Sequence, residues 1–211
     1  MVVHKTLTDE YIAASLAPYG FVPSTEACEK IRTYIALLLR WNERISLTAL
    51  TDVSAILQNH FGESIFATAA VPIRNGRLAD VGTGAGFPGI PIKIAQSDLH
   101  VLLIEPNVKK CTFLSEVVRA LQLDAEIIRS RMDTAFADQS PLDYVTSRAV
   151  GNWDEICELG VNLVENGKLV LWVGEQAIAE LLSKAVRDLS WEKPIKIPRT
   201  IKRFLLVGTK L

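Results

Sequence analysis

The chain has 211 residues, 49% of them hydrophobic and 22% charged, with a formal net charge of −1 at pH 7. That length suits one domain with a modest attachment, and that composition is rich enough to bury a core and excludes intrinsic disorder. The balanced charge excludes a uniformly basic nucleic-acid binder, although the stretch from Lys184 to Lys210 holds eight basic residues against two acidic ones, a strip suited to RNA phosphates.

Residues 8–20 and 25–42 are predicted helices. In the second, Ile31, Tyr34, Ile35, Leu38 and Leu39 fall on one face at helical spacing, and Pro23-Ser24-Thr25 opens it with cap and turn chemistry. Further helices are expected at 52–59 and 61–70, before Pro72 and Asn75-Gly76 break the chain. From there strands are predicted at 77–82, 100–105, 125–129, 142–147 and 167–173. They alternate with helices at 89–96, 108–121, 132–137, 152–164 and 175–187. Strand alternating with helix implies βαβ units and a parallel sheet covered on both faces. The tail differs: Ile195–Ile197 and Arg203–Lys210 read as two strands joined through Pro198-Arg199-Thr200. The expected fold is therefore α/β, a Rossmann-like class I methyltransferase sheet, mostly parallel with an antiparallel last strand. A helical N-terminal extension, 1–75, packs on an α/β domain at 76–211.

The strongest local signal runs from Leu78 to Gly89. An apolar strand ends at Asp80-Val81, and Gly82, Gly84 and Gly86 alternate through a tight turn before Pro88, which suits a first helical turn. Glycines let backbone approach a ligand closely, and a helix start presents free N–H groups. Such a turn fits the amino-acid and ribose parts of S-adenosylmethionine. Gly84-x-Gly86-x-x-Gly89 also matches the dinucleotide fingerprint, so a nicotinamide- or flavin-dependent oxidoreductase is the alternative. Pro88 inside the expected helix start and Asp80 at the strand end weigh against it, an acid at the latter position ordering both the loop and the cofactor's ammonium. Glu105 ends the second strand about 20 residues on, where a carboxylate accepts both ribose hydroxyls. At the third strand end, Met132 is placed to cover an adenine ring and Asp133 to accept from its amino group. Arg148 ends the fourth strand, at the sheet edge where ligands of such folds bind.

With those residues in view, the chain resembles the glucose-inhibited division protein B family, bacterial small-subunit (16S) ribosomal RNA guanine-N7 methyltransferases. Asp80 to Pro91 is very similar to that family's glycine loop. Leu38-Leu39-Arg40-Trp41-Asn42 with Leu47-Thr48-Ala49, then His60-Phe61-Gly62-Glu63-Ser64, Lys109-Lys110 with Phe113-Leu114, Ser130-Arg131 and Ser147-Arg148-Ala149 resemble its other signatures in order. The resemblance spans about residues 30–210 and implies that Gly82, Phe87, Met132, Asp133 and Arg148 contact the cofactor. Glu63 stands where the family usually has Asp, Ser46 where it has Asn, and Glu105-Pro106 where it has Asp-Ser. Val173 replaces a common Lys at the end of the fifth strand. A cofactor-binding RNA-interaction protein without catalysis is a further reading, motivated by that missing lysine.

Guanine N7 carries an in-plane lone pair and needs no deprotonation. The sequence offers no paired carboxylates and no Ser/His/Asp set, so no catalytic residue is identified and positioning supplies the catalysis. Arg131, Arg148 and Lys109 are the substrate-side candidates. His60 is read as a loop-to-helix structural contact. His4, His60 and His100 are too widely spaced for a metal signature, and no metal is expected. Three scattered cysteines (Cys28, Cys111, Cys157) imply a reducing compartment, and neither a transmembrane run nor a signal-peptide pattern is found. The expected setting is a cytoplasmic monomer whose partner is 16S rRNA or the small ribosomal subunit.

Overall fold

The computed structural model describes residues 7–131, 141–148, 153–158, 163–183 and 189–211. The N-terminal part is helical. Helix α1 (Asp9–Leu16) begins at Thr8, whose hydroxyl accepts from the Tyr11 N–H, and runs into a tight turn, Ala17–Tyr19. Helix α2 (Thr25–Asn42) is capped by Ser24, whose Oγ accepts from the Ala27 N–H at 3.2 Å. Its buried face is Ala27, Cys28, Ile31, Tyr34, Ile35 and Leu38, the face that the spacing predicts, although Leu39 is only partly buried.

The helices expected at 52–59 and 61–70 are one continuous rod. Helix α3 (Val53–Ile56) passes through a wide π-helical turn, Leu57–Gly62, into α4 (Glu63–Ala70). No proline falls between Val53 and Ala70, so the backbone widens by one residue instead of stopping.

The sheet follows: β1 (Gly76–Val81), α5 (Gly89–Ala95), β2 (Leu99–Ile104), α6 (Val108–Ala120), β3 (Ala125–Ile128), β4 (Leu142–Arg148), α7 (Trp153–Glu158), β5 (Leu163–Gly174), α8 (Glu175–Ser183), β6 (Leu189–Trp191), β7 (Ile195–Lys196) and β8 (Arg203–Lys210). Strand order is β3-β2-β1-β4-β5-β8-β6, with β7 also pairing β8. The pairs among β1 to β5 are parallel, and β8 runs antiparallel to β5, β6 and β7. The mostly parallel sheet with antiparallel C-terminal strands is the one the sequence implies. Three details differ. Strand β5 starts at Leu163, inside the segment expected to be helix, and its register with β4 shifts between Leu142 and Tyr144. Strand β6 was not anticipated, because three residues are too few to show a period. Pro88 precedes α5 rather than opening its first turn, since the loop takes up Phe87 and Pro88. The helix expected at 132–137 lies outside the described residues.

Strand order reverses between β1 and β4, which is where open α/β sheets bind ligands. There Asp80 pairs with Thr146 and Val81 with Ser147, so Arg148 comes up beside Gly82. One sheet face carries a core that is continuous with the N-terminal helices: Ile12, Tyr34, Ile35, Leu38, Phe61, Leu78, Leu103, Phe113 and Val170 belong to one cluster. The other face packs α7 and α8 through Ile156, Leu169, Leu171 and Leu181. Between α2 and α6, Trp41 Nε1 donates to Glu116 at 2.7 Å and Arg40 pairs with the same carboxylate.

Because helices and sheet share that cluster, Ile35→Ala should lower the unfolding free energy by about 3 kcal/mol. In a variant that keeps Trp41 as its single tryptophan, fluorescence from the helices and circular dichroism of the whole chain should trace one urea transition. Two separated transitions would mean that the helices and the sheet unfold independently.

Candidate cofactor and substrate site

The loop after β1 is held from beneath. Asp80 is fully buried. Its Oδ2 accepts from Thr83 Oγ1 at 2.5 Å and from the Gly89 N–H at 2.8 Å, and its Oδ1 accepts from Thr146 Oγ1 at 3.1 Å. Burial pushes its carboxyl up to about 6, against the opposing pull of those hydrogen bonds, Thr83's first, and of the Arg148 charge. The expectation that Asp80 orders the loop matches this geometry. A direct contact with a ligand's ammonium does not, since the carboxylate sits closed off under the loop.

Gly82, Gly84 and Gly86 all have positive φ (68°, 61° and 95°). Their surroundings separate their roles. A Cβ on Gly86 would press against Ile90 and the Tyr34 hydroxyl, at 2.5 and 2.6 Å, whereas a Cβ on Gly84 meets only the Gly82 carbonyl oxygen, at 3.9 Å. Gly86 is required by packing, and Gly84 faces open space. Glu105 stands beside it: Oε2 accepts from the Gly84 N–H at 3.0 Å and Oε1 from the Asn107 N–H at 2.9 Å. Each oxygen keeps a second lone pair for a ligand hydroxyl.

The N-terminal helices support the same loop. Tyr34, on α2, donates its hydroxyl to the Ala85 carbonyl. Its ring stacks on Phe87 at 5.2 Å, and His60 stacks on Phe87 at 4.5 Å. The Phe87 ring is thus enclosed between two rings, a loop prop more than an open ligand face. Burial, and next the Arg148 charge, bring His60 down to about 4, so the imidazole is neutral. Its Nε2 meets Thr48 Oγ1 at 2.7 Å and its Nδ1 faces Arg148 Nη2 at 3.4 Å. An Nε2–H tautomer satisfies both, with Nδ1 accepting. Thr48 is itself held by Asn42, which accepts from the Leu47 and Thr48 N–H groups and donates to the Thr48 carbonyl. His60 is therefore the loop-to-helix contact expected, and it also reaches the site.

Beyond Arg148 a cleft of about 430 Å³ opens, lined by Glu63, Arg148, Trp172, Val173, Gly174, Ile197, Lys202 and Arg203. Glu63 is 1% exposed, and Arg203 Nη1 donates to both its oxygens at 2.7 Å. Arg148 Nη2 lies 3.7 Å from the same carboxylate. Trp172 Nε1 donates to the Glu63 carbonyl at 2.7 Å. On β5 the position of the missing lysine, Val173, pairs with Phe204, and Gly174 pairs with Arg203. Cations at this mouth come from β8.

The structure gathers Asp80, Gly82, Gly84, Phe87, Glu105 and Arg148 around the β1–β4 switch point. Lys109 lies apart, at the start of α6, in a recess with Arg44, Ser46, Asn107 and Lys110. Arg131 follows β3. Met132 and Asp133 lie outside the described residues. The helical spacing marks Tyr34 only as core, Arg203 counts in the sequence only as one of the C-terminal basic residues, and nothing marks Thr146. Glu63 and Arg203 are 140 residues apart, and no spacing rule links them. Among the described residues, no group of three or more His, Cys, Asp or Glu gathers as a metal site, and no helix is long and apolar enough to cross a membrane.

The family model described as rRNA small subunit methyltransferase G, GidB, matches residues 27–199. The chain belongs to this family. A ribosomal RNA small subunit methyltransferase G from Mycoplasma capricolum is 37% identical over 80% of this chain and 74% of its own length. The Bacillus subtilis protein of that name is 35% identical over 87% of this chain and 80% of its own. The fold is shared with a SAM-dependent methyltransferase from Aquifex aeolicus, at TM-score 0.61 and 15% identity over 76% of this chain and 94% of that one. A ribosomal protein L11 methylase from Lactobacillus delbrueckii aligns at TM-score 0.59 and 18% identity, over 72% and 79%. The methyltransferase reading holds over the oxidoreductase one, and S-adenosylmethionine is the cofactor.

Two outcomes follow from the loop. Gly84→Asp should lower the melting transition only modestly, because Asp is strained at φ 61° but is among the residues that adopt this backbone most readily, and its side chain meets open space. It should abolish S-adenosylhomocysteine binding by titration calorimetry, since it sets a second carboxylate in the open space beside Glu105. Gly86→Ala should instead destabilise by about 2 kcal/mol or more.

A third outcome concerns pH. A folded-state pKa near 6 against a free value near 3.8 means that the folded chain keeps a proton which the unfolded chain releases. The stability from that protonated carboxyl is whole below about pH 4 and lost as pH rises through 6. Asp80→Asn has no such proton. Its stability relative to the native chain should therefore rise between pH 4 and 6, by about 3 kcal/mol at 1.36 kcal/mol per unit. Urea unfolding of both proteins across this range checks it, and a trend of opposite sign refutes it.

Proposed function

We propose that the protein transfers the methyl group of S-adenosylmethionine to N7 of a guanine in 16S ribosomal RNA, acting as a cytoplasmic monomer on that RNA or on the small subunit. The observation that carries the reading is the glycine loop at the switch point, where Gly84 faces open space beside the Glu105 carboxylate and Arg148 stands across from it. These residues suit the cofactor. Glu105 has lone pairs free for the ribose hydroxyls, and the backbone at Gly82 and Gly84 permits close approach to its amino-acid end. Asp80 and Phe87 shape the loop from below. Met132 and Asp133 are the adenine contacts by family resemblance. When bound, S-adenosylmethionine supplies a methyl group activated by its sulfonium.

The protein's own part is positional. Guanine N7 needs no base, and the one histidine at the site is neutral with both nitrogens engaged. Holding N7 in line with the methyl carbon is worth several kcal/mol. Arg148, at the floor of the cleft, is placed to steady the base, and Lys202 and Arg203 at its mouth to take phosphate. Lys109, Lys110 and Arg44 share a separate recess at the start of α6 and, with Arg131 after β3, suit RNA backbone. A stacked guanine must first be exposed to enter.

Tritiated methyl should pass from S-adenosylmethionine to small-subunit RNA taken from cells lacking this protein, and Arg148→Ala should cut turnover at least tenfold. Nuclease digestion should return the label as 7-methylguanosine. Label on another atom or base would overturn the acceptor assignment. Stabilisation by NAD(P) instead of S-adenosylhomocysteine in a thermal melt would overturn the cofactor.

A further inference from the structure

The ion cluster at the cleft floor has a feature that cofactor binding does not use. Glu63 is almost fully buried, yet its main partner, Arg203, has a half-exposed side chain at the first residue of β8. On the other side Arg148 Nη1 is shut off from solvent and has no hydrogen-bond partner among the described residues. A buried carboxylate whose main counter-ion sits half in solvent, beside a buried donor with no partner among the described residues, is an arrangement suited to a polar ligand. The cleft volume of about 430 Å³ is in the range of small-molecule sites.

Guanine presents N1–H and N2–H2 as two adjacent donors, which a carboxylate accepts side by side. Adenine presents an acceptor at N1 and is refused by the same carboxylate. We propose that Glu63 reads the N1/N2 edge of the acceptor guanine, and that Arg203 is its resting counter-ion, exchanging the carboxylate for the nucleotide's phosphate when the base enters. This deepens the methyl-transfer reading and rests on it for the word acceptor.

Charge supports the arrangement. Glu63, Arg148, Lys202 and Arg203 together carry a net positive charge, so the empty cleft attracts a phosphate. Once Arg203 turns to that phosphate, Glu63 is left with the base. A base held by N1 and N2 keeps its N7 edge free, and the unpartnered Arg148 Nη1 supplies a donor for O6. In the transfer, the N7 lone pair forms the new N–C bond while the C–S bonding pair passes to sulfur, so the positive charge comes to rest on the base. A buried carboxylate on that base's other edge favours the change. His60, neutral, adds no opposing charge.

The test uses the full chain saturated with S-adenosylhomocysteine and follows guanosine 5′-monophosphate, inosine 5′-monophosphate (which lacks N2) and guanosine by NMR titration at millimolar concentration. The native protein should bind the guanosine nucleotide about tenfold tighter than the inosine one, as expected for a hydrogen bond to a charged acceptor. Glu63→Gln should bind the two nucleotides within twofold of each other. Arg203→Ala should lose the preference for the guanosine nucleotide over guanosine. Equal binding of the two nucleotides by the native protein, no binding of either, or a surviving preference in folded Glu63→Gln overturns the proposal. If Glu63→Gln does not fold, as judged by S-adenosylhomocysteine binding, Arg203→Ala decides, and an undiminished preference for the phosphate overturns it. A native protein that prefers the guanosine nucleotide yet transfers no methyl to small-subunit RNA refutes the function and not the pocket. One that transfers methyl but shows no nucleotide preference refutes the pocket and not the function.

Discussion

A single carboxylate without access to water governs the geometry of this site. Asp80 lies under the glycine loop and is satisfied, among the described residues, by Thr83, Gly89 and Thr146. Removing a carboxyl group from water is unfavourable unless hydrogen bonds replace the lost solvation. The loop must therefore close back on the strand to deliver the Thr83 hydroxyl and the Gly89 N–H. The neighbouring strand must be in the register that brings Thr146 alongside. That register sets Ser147 Oγ on the Val81 carbonyl at 3.0 Å and leaves Arg148 next to the loop. One buried group fixes both the curvature of the cofactor turn and the place of the arginine across from it.

The helical N-terminal region has a second hold on the same loop. The Tyr34 hydroxyl takes the Ala85 carbonyl, and the Tyr34, Phe87 and His60 rings form a continuous stack. The wide turn at Leu57–Gly62 allows His60 and Glu63 to project toward Arg148 together. Helices that read in the sequence as an attachment therefore supply part of the cleft wall. Their cluster is continuous with the core of the sheet, so loop geometry and helix packing are coupled.

The chemistry that such a site performs depends on placement more than on proton transfer. The ionisable groups nearest the switch point are each engaged: Asp80 beneath the loop, His60 between Thr48 and Arg148, Glu63 under Arg203. What remains is spare acceptor capacity at Glu105, beside Gly84, and at Arg148 a donor without a partner among the described residues. This division suits a nucleoside cofactor at one end and an anionic nucleotide at the other.

Elements whose causes are local are legible in the amino-acid order. Ser24 caps α2 where the cap chemistry predicts it. Alternating apolar runs and amphipathic segments give β1 to β5, and three glycines before Pro88 mark a turn that only positive φ can make. Glu105 at the end of β2 follows from the same short-range logic. It took the folded chain to show that Asp80 faces inward, that Phe87 is enclosed by two rings, that Gly86 is closely packed where Gly84 is not, and that Arg203 meets Glu63. The expected lysine at position 173 is absent from β5, yet β8 brings cations to the same mouth. The reason is that each of these depends on strand register and on contacts between segments far apart in the chain. Hydrophobic period and turn chemistry extend over a few residues and carry no information about which distant side chain will share a buried charge.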